Sequence, residues 1–339
     1  MKHLTFHKVV LCCSLLALLM LSAQAQAQPR GRGAYGDWKV KVDYDGRQFE
    51  SILAFSRDQE GNRTAQWISM WGLTELKDVS YEDGKLSFAM ERRNREGQMS
   101  VSKFTGTIQE GKLTGILSSD RGDNKVEGEQ MPRMRRAVGN WEMKFKVGDM
   151  DVTTTLIVKA DKENNLMGEW KSQWGEHTVT DVQYERGNLS FKRKSKFQDR
   201  ELESTFEGSI DRETGLLSGV IKFEMGEVQA EGKRIGAELI GDWKLDIESD
   251  RGPGPRTQRL RINPDMSGLY GSLAIKKITF EDGKVEFPVV LQFGDRTFEM
   301  NFKGKLEDSK LTGEMISDRG SQKIKGTKIV RTFRRRRSQ

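Results

Sequence analysis

Four tryptophans stand in two pairs with a spacing of four, Trp67/Trp71 and Trp170/Trp174. An indole offers a broad apolar face and one N–H donor, which suits contact with an apolar or sugar-like ligand. The same rings also fill cores, and both readings stand at this point. On an extended strand a spacing of four puts both rings of a pair on one face. The remaining inventory limits the chemistry. His3, His7, Cys12 and Cys13 fall in an N-terminal segment that reads as a secretory signal, so His177 is the one histidine beyond it and no cysteine remains. Cys–His nucleophiles, Ser-His-Asp triads and Cys/His zinc sites are set aside by inventory, and no metal or cofactor is expected. His177, near Trp174, reads as a surface or loop residue.

Other candidates are polar. Ser119-Asp120-Arg121-Gly122 and Ser317-Asp318-Arg319-Gly320 recur, while Phe223-Glu224-Met225-Gly226 stands at the matching place between them. A repeated Asp-Arg suits a polar clamp at a barrel mouth, and equally a turn in which Asp supports the bend and Gly takes positive φ. Carboxylates are numerous enough for a paired-acid hydrolase. Only Asp78 and Asp181 recur in an apolar frame, and Lys277 replaces them in the third copy. No glycine-rich phosphate loop has a strand-to-helix context. Arg121-Gly122-Asp123 spells an adhesion tripeptide, a match too short to weigh.

The signal reading rests on Lys2 and Lys8, an apolar run of 13 from Val9 to Leu21, and the small-x-small sites Ala23-Gln24-Ala25 and Ala25-Gln26-Ala27. The run is too short for a spanning helix. An exported chain without cysteine has no disulfides and must be held by packed cores. The formal charge of +7 falls by two, to +5, when Lys2 and Lys8 leave, and the five arginines at 331 and 334–337 account for the rest. Basicity is therefore a tail, suited to weak contact with an anionic surface. The body is near neutral, and nucleic-acid binding is not expected.

The elements that must position these residues come in three copies. Gly-x-Trp occurs at Gly36-Asp37-Trp38, Gly139-Asn140-Trp141 and Gly241-Asp242-Trp243, at intervals of 103 and 102 residues. Trp38, Val40 and Val42 alternate with Lys39, Lys41 and Asp43, and the other copies repeat the pattern, which is that of a half-buried strand with Trp inward. Asp83-Gly84, Arg186-Gly187 and Asp282-Gly283 mark tight hairpins. Phe104-Thr105-Gly106, Phe206-Glu207-Gly208 and Phe302-Lys303-Gly304 lead into Leu113-Thr114-Gly115, Leu217-Ser218-Gly219 and Leu311-Thr312-Gly313. Each glycine shares the parity of its inward Phe or Leu, the device that lets a strand bend so that a sheet closes. Unit three is about seven residues shorter in its middle and has only Tyr270 near the tryptophan-pair position.

Together these features predict an all-β chain of three tandem antiparallel up-and-down β-barrels of about eight strands each, since closure leaves no free edge. The expected divisions are a signal over 1–27, a leader over 28–35, barrels over 36–135, 136–238 and 239–332, and a basic tail over 333–339. An open single-layer sheet and one large membrane barrel are the rival architectures.

The threefold Gly-x-Trp, followed in each unit by Arg133 (or Arg135), Arg234 and Arg331, resembles the calycin superfamily of lipocalins, fatty-acid-binding proteins and avidin-like barrels. That resemblance implies that a basic residue at the end of the last strand packs across the opening tryptophan, Trp38, Trp141 or Trp243, closing the barrel base. The signal-like segment predicts a periplasmic or extracellular protein, and the tripled inward-aromatic unit with no catalytic inventory predicts a non-enzymatic one of lipocalin-like kind that binds a small apolar or sugar-like ligand, or acts as an interaction scaffold. Trp67, Trp71, Trp170 and Trp174 are the expected ligand contacts. A carboxylate-based envelope hydrolase, and an envelope-surface binder acting through the arginine tail, are the alternatives.

Overall fold

The computed structural model describes residues 34–44, 46–57, 62–93, 97–161, 163–197, 200–248, 256–294 and 296–329. The segment expected to be a signal, most of the expected leader, Arg331 and the arginine tail lie outside these residues. Among the described residues no helix is long and apolar enough to cross a membrane. The chain forms three antiparallel sheets in succession rather than one large one.

The first sheet comprises β1 (Gly36–Tyr44), β2 (Arg47–Arg57), β3 (Arg63–Ser69), β4 (Gly72–Glu82), β5 (Lys85–Arg93), β6 (Met99–Gln109), β7 (Lys112–Ser119) and β8 (Gly122–Gln130). Its strands pair in chain order and β1 pairs β8, which closes the barrel. The second comprises β9 (Gly139–Val147), β10 (Met150–Ala160), β11 (Leu166–Lys171), β12 (Glu176–Glu185), β13 (Asn188–Phe197), β14 (Arg200–Ile210), β15 (Leu217–Phe223) and β16 (Gly226–Arg234). Here β9 pairs β16, and the sheet ends at β11 and β12, which lie side by side without a ladder. Val179 and Val182 fill the space beside Gly168 at that seam.

The third sheet comprises β17 (Gly241–Glu248), β18 (Arg256–Ile262), β19 (Gly268–Tyr270), β20 (Leu273–Ile275), β21 (Thr279–Glu281), β22 (Lys284–Phe293), β23 (Arg296–Glu307), β24 (Lys310–Ser317) and β25 (Gly320–Lys328). The residues missing from its middle leave only the three-residue strands β19, β20 and β21 where the other units have two long ones, so this sheet wraps without closing.

The repeated landmarks acquire physical causes. Asp83 and Gly84 have φ of 47° and 78°, and the two equivalent hairpins are built alike. The opening tryptophans are fully buried, and each indole donates to the carbonyl four residues upstream: Trp38 to Ala34 at 2.9 Å, Trp141 to Ala137 at 2.9 Å, Trp243 to Leu239 at 2.8 Å. The preceding glycines have φ of 115°, 143° and 133°, a region that L side chains avoid, and so let the chain fold back over the ring.

The strand glycines serve space rather than dihedral freedom. Gly106 pairs Gly115, Gly208 pairs Gly219, and Gly304 pairs Gly313. A Cβ on Gly106, Gly208 or Gly304 would meet Cζ of Phe104, Phe206 or Phe302 at 2.5, 2.6 and 2.6 Å. Each of these rings stacks on its cross-strand neighbour Phe88, Phe191 or Phe287, with centroids 4.7, 5.0 and 4.8 Å apart. Such a stack adds about 0.5–1.5 kcal/mol beyond its burial. The lower half of every barrel is thus a packed core.

The register places Gln130, Arg234 and Lys328 opposite the three tryptophans. Arg234 lies 4.1 Å from the Trp141 ring and donates to Val138 and Arg136 carbonyls at 2.5 and 2.6 Å. Burial lowers its pKa to about 10. In the third sheet the cation over Trp243 is Lys328, at 5.6 Å. In the first, Gln130 takes the place and donates to the Tyr35 carbonyl at 2.9 Å, while Arg133 stands exposed on the linker beyond β8.

Sheets one and three dock on each other through strands buried on both faces. Leu260 and Ile262 of β18 face their own core, while Arg259 and Arg261 face the first sheet. Arg259, only 1% exposed, donates to Asp37 at 2.6 Å; Arg261 reaches Asp37 at 2.8 Å and Asp242 at 2.8 Å. Burial presses the Arg259 guanidinium downward, and the Asp37 carboxylate opposes it. Burial also works against the Arg261 cation, but Asp37 and Asp242 outweigh it and raise its pKa. Beside these charges, Ile52, Ala54 and Ile68 pack against Leu269, and Gln258 donates to the Ser69 carbonyl at 2.9 Å. The middle residue of the first Gly-Asp-Trp motif, Asp37, therefore clamps two units together, while its counterpart Asp242 holds Arg261 within the third sheet; the second unit has Asn140 there.

Two substitutions test these causes. Gly208→Ala should cost about 1–3 kcal/mol by overfilling the Phe206 site, read as a lower denaturation midpoint; an unchanged midpoint refutes the packing account. Asp37→Asn leaves the buried Arg259 guanidinium without an anion, while Arg261 keeps Asp242, and should cost about 3–5 kcal/mol. Limited proteolysis should then cut between sheets one and three faster than in the parent chain, and equal rates would count against the clamp.

Candidate functional site

The four candidate tryptophans fall into two kinds. Trp67 and Trp170 are core residues, 3% and 4% exposed, with centroids 6.2 Å from Phe88 and 6.0 Å from Phe191. Trp71 and Trp174 are 58% and 40% exposed and stand in the β3–β4 and β11–β12 turns. The expectation that a pair shares one strand face is therefore corrected: each strand ends before its second ring. The cause is a serine. Ser69 Oγ accepts from the Trp71 amide at 3.2 Å, and Ser172 Oγ from the Trp174 amide at 2.9 Å, which turns the chain. Ser119 and Ser317 receive the Arg121 and Arg319 amides at 3.2 Å in the same way. The repeated Ser-Asp-Arg-Gly is thus turn chemistry. Asp78 and Asp181 prove to be bulge residues with φ of 51° and 56°, where the ladders shift register.

All four turns lie at the barrel ends opposite the Gly-x-Trp bases. At this mouth the first barrel holds a cavity of about 200 Å³ lined by Trp67, Trp71, Tyr44, Phe49, Met70 and Arg92 among others. A groove of about 860 Å³ continues past Phe49 and Met70, between the first and third sheets.

The mouth of the second barrel carries the more distinctive chemistry. Val147, Met150 and Leu202 sit on the inward parity of β9, β10 and β14, yet are 44%, 48% and 59% exposed. The upper part of this barrel is therefore an open bowl above the packed phenylalanines. Its floor is polar. The Arg193 guanidinium lies 4.5 Å from the Trp170 ring, with Nε donating to Ser204 Oγ at 3.0 Å. Among the described residues no carboxylate forms an ion pair with it, and burial lowers its pKa to about 10. His177 is not in a loop, as its sequence context suggests, but half-buried on β12 opposite Ser195. Its Nε2 is 2.8 Å from Ser172 Oγ and its Nδ1 2.8 Å from Ser195 Oγ. Burial, and then the charge of Arg193, lower its pKa.

Sequence reasoning missed Arg193, Ser172, Ser195 and Ser204. One signal was present. Arg193 follows Phe191 by two, on the inward parity where Met90 follows Phe88 and Val289 follows Phe287. A charge on a core parity that two sibling units keep apolar marks a site. Among the described residues no cluster of His, Cys, Asp and Glu could hold a metal.

His177 gives a pH test. Its folded pKa lies below the ordinary 6.5. Above that pH it is neutral in both states. As pH falls below it the unfolded chain takes up the proton first, so stability declines until the lowered folded value is passed. Unfolding midpoints followed from about pH 7.5 to 5 should fall more steeply than those of His177→Gln; parallel curves for the two chains would show that His177 is not coupled to folding.

No protein-family model matches the sequence, and no curated protein matches it. Among solved structures the chain is similar to an outer-membrane protein candidate from Bacteroides fragilis, at 12% identity over 58% of this chain and 96% of that one, with a TM-score of 0.23. It is also similar to a variant of transferrin-binding protein B from Haemophilus parasuis, at 9% identity over 88% and 76%, TM-score 0.21. A protein of unknown function from Nostoc punctiforme matches at 11% identity over 87% and 96%, TM-score 0.18. Likeness at this level carries no functional information for this chain.

Proposed function

We propose that this is an exported binding protein of lipocalin-like build, with its ligand site at the mouth of the second barrel. The ligand is a small molecule with a flat apolar or sugar-like body and an anionic group. The observation that carries this reading is Arg193, a guanidinium set inside a barrel without a carboxylate partner among the described residues. A buried cation is costly when unpaired, and an incoming carboxylate supplies the missing partner through charge-assisted, bidentate hydrogen bonds. Trp174, exposed at the rim, offers the flat face for the body of the ligand. Trp170 below supports Arg193 rather than touching the ligand. The Gly-x-Trp recurrence supports the lipocalin-like build, and the signal-like N-terminus supports export.

Tryptophan fluorescence titrations with glucuronate, glucose, a fluorescent fatty acid and its alcohol test the reading. The anionic member of a pair should bind and its neutral analogue should bind at least tenfold more weakly. Arg193→Met installs the residue that the first barrel has in Met90, so the fold should survive. Loss of a charge-assisted pair costs about 1.5–3 kcal/mol, which is about 10- to 150-fold in affinity. Equal binding by the parent and Arg193→Met, or no binding of any anion, would overturn the assignment.

A further inference from the structure

The mouth of the second barrel holds an arrangement that ligand capture does not require. Four turns share the pattern Ser-x-Trp-Gly or Ser-x-Arg-Gly, starting at Ser69, Ser119, Ser172 and Ser317. In all four the serine Oγ accepts the amide two residues on. In three of them the hydroxyl also donates to the glycine carbonyl three residues on, at 3.3, 3.2 and 3.1 Å for Ser69, Ser119 and Ser317. Ser172 departs from its siblings: its Oγ lies 2.8 Å from His177 Nε2.

Each ring nitrogen faces one hydroxyl, and the tautomer sets which of each pair donates. With the proton on Nδ1 the ring donates to Ser195 Oγ at 2.8 Å and Nε2 accepts the Ser172 hydroxyl, whose oxygen still accepts the Trp174 amide. A hydroxyl bonded to a base that is itself held by a third group is the geometry of an activated nucleophile. Ser172 is half-exposed at the rim of the open bowl, within reach of a small molecule, and Arg193 is close enough for its charge to act on His177.

We propose that Ser172 is a nucleophile and His177 its general base, with Ser195 as the positioning residue, and that this mouth hydrolyses small esters. Only the preference for an anionic ester, held by Arg193, rests on the binding reading above. Ser172 Oγ adds to the ester carbonyl carbon as its proton passes to His177 Nε2. The tetrahedral adduct collapses, the alkoxide leaves with that proton, and the acyl group stays on Ser172. Water then adds to the acyl carbon, giving a proton to His177 Nε2. Collapse expels Ser172 Oγ, which recovers the proton, and releases the acid. Ser195 is a neutral hydroxyl where a carboxylate would better stabilise the imidazolium, so turnover is slow and the acyl-enzyme is the species to look for.

The full chain should be treated with 4-nitrophenyl butyrate and, separately, with a fluorophosphonate, and mapped by peptide mass. One phosphonyl group per chain on Ser172 is expected. Ser172→Ala should abolish labelling and release of nitrophenol above the buffer rate, and His177→Gln should slow both about a hundredfold. Ser195→Ala should slow acylation and Ser195→Thr restore it, which a merely structural hydroxyl would not require. At about pH 7.5 the His177 and Ser195 variants should unfold at midpoints near that of the parent; Ser172→Ala, which also loses the turn bond to the Trp174 amide, is compared at temperatures where its unfolding curve shows it folded. Labelling at another residue, no labelling, or unchanged release by Ser172→Ala overturns the proposal. If glucuronate or fatty-acid binding persists without labelling, the binding reading stands and this one falls. If Ser172 is labelled while Arg193→Met changes nothing, the reverse holds.

Discussion

An indole buried with its N–H unpaired would forfeit about 1–3 kcal/mol of what its apolar area contributes, and this chain meets that constraint three times in one way. Trp38, Trp141 and Trp243 each donate to the carbonyl four residues upstream, and the glycine between makes the reversal sterically free. The first strand is thereby tied to the segment that enters it, and its inward parity is marked by a contact that spans only four residues. The residue laid over each indole is then free to vary, and it does: Gln130, Arg234 and Lys328. A ring anchored through its own N–H does not depend on a cation above it.

From that anchored strand the barrels divide into a constant lower half and a variable upper half. The Phe–Phe stacks over paired glycines fill the lower half identically and leave no room there for a ligand. Differences accumulate toward the mouths. The position two beyond the first stacked phenylalanine is Met90, Arg193 or Val289, so the guanidinium laid against Trp170 has no counterpart at that position in the other units. One inward position thus changes from apolar to charged while the stacked phenylalanine layer below it is kept.

Much of this was legible in the sequence, and for physical reasons. Alternation around Gly-x-Trp and the Asp-Gly hairpins depend on neighbours one to four residues apart, and such signals survive translation into structure. The place of Trp71 and Trp174 was not, because a serine hydroxyl, Ser69 or Ser172, ends the strand with a hydrogen bond that period-two patterns do not encode. His177 has a turn-like context, but the turn ends at Gly175 and β12 begins at Glu176. The docking of sheets one and three left a partial trace. Ser51 to Phe55 is buried on both faces, and the run Ile52-Leu53-Ala54-Phe55 is uniformly apolar rather than alternating. Its partner β18 carries charges on the buried face, Arg259 and Arg261, which read as solvent-exposed until the Asp37 they meet is known. Pairing across 222 residues has no local signature.

That separation also orders events in time. Asp37 is made early and its partner guanidinium 222 residues later. Until Arg259 has been synthesised, the first barrel's carboxylate stays in water and the apolar face of Ile52, Ala54 and Ile68 stays uncovered. The second barrel must fold in the interval between two units that will close on each other without it. Maturation therefore ends with a long-range docking step, and a chain arrested before its last third carries a sticky, incompletely neutralised surface that the finished protein never shows.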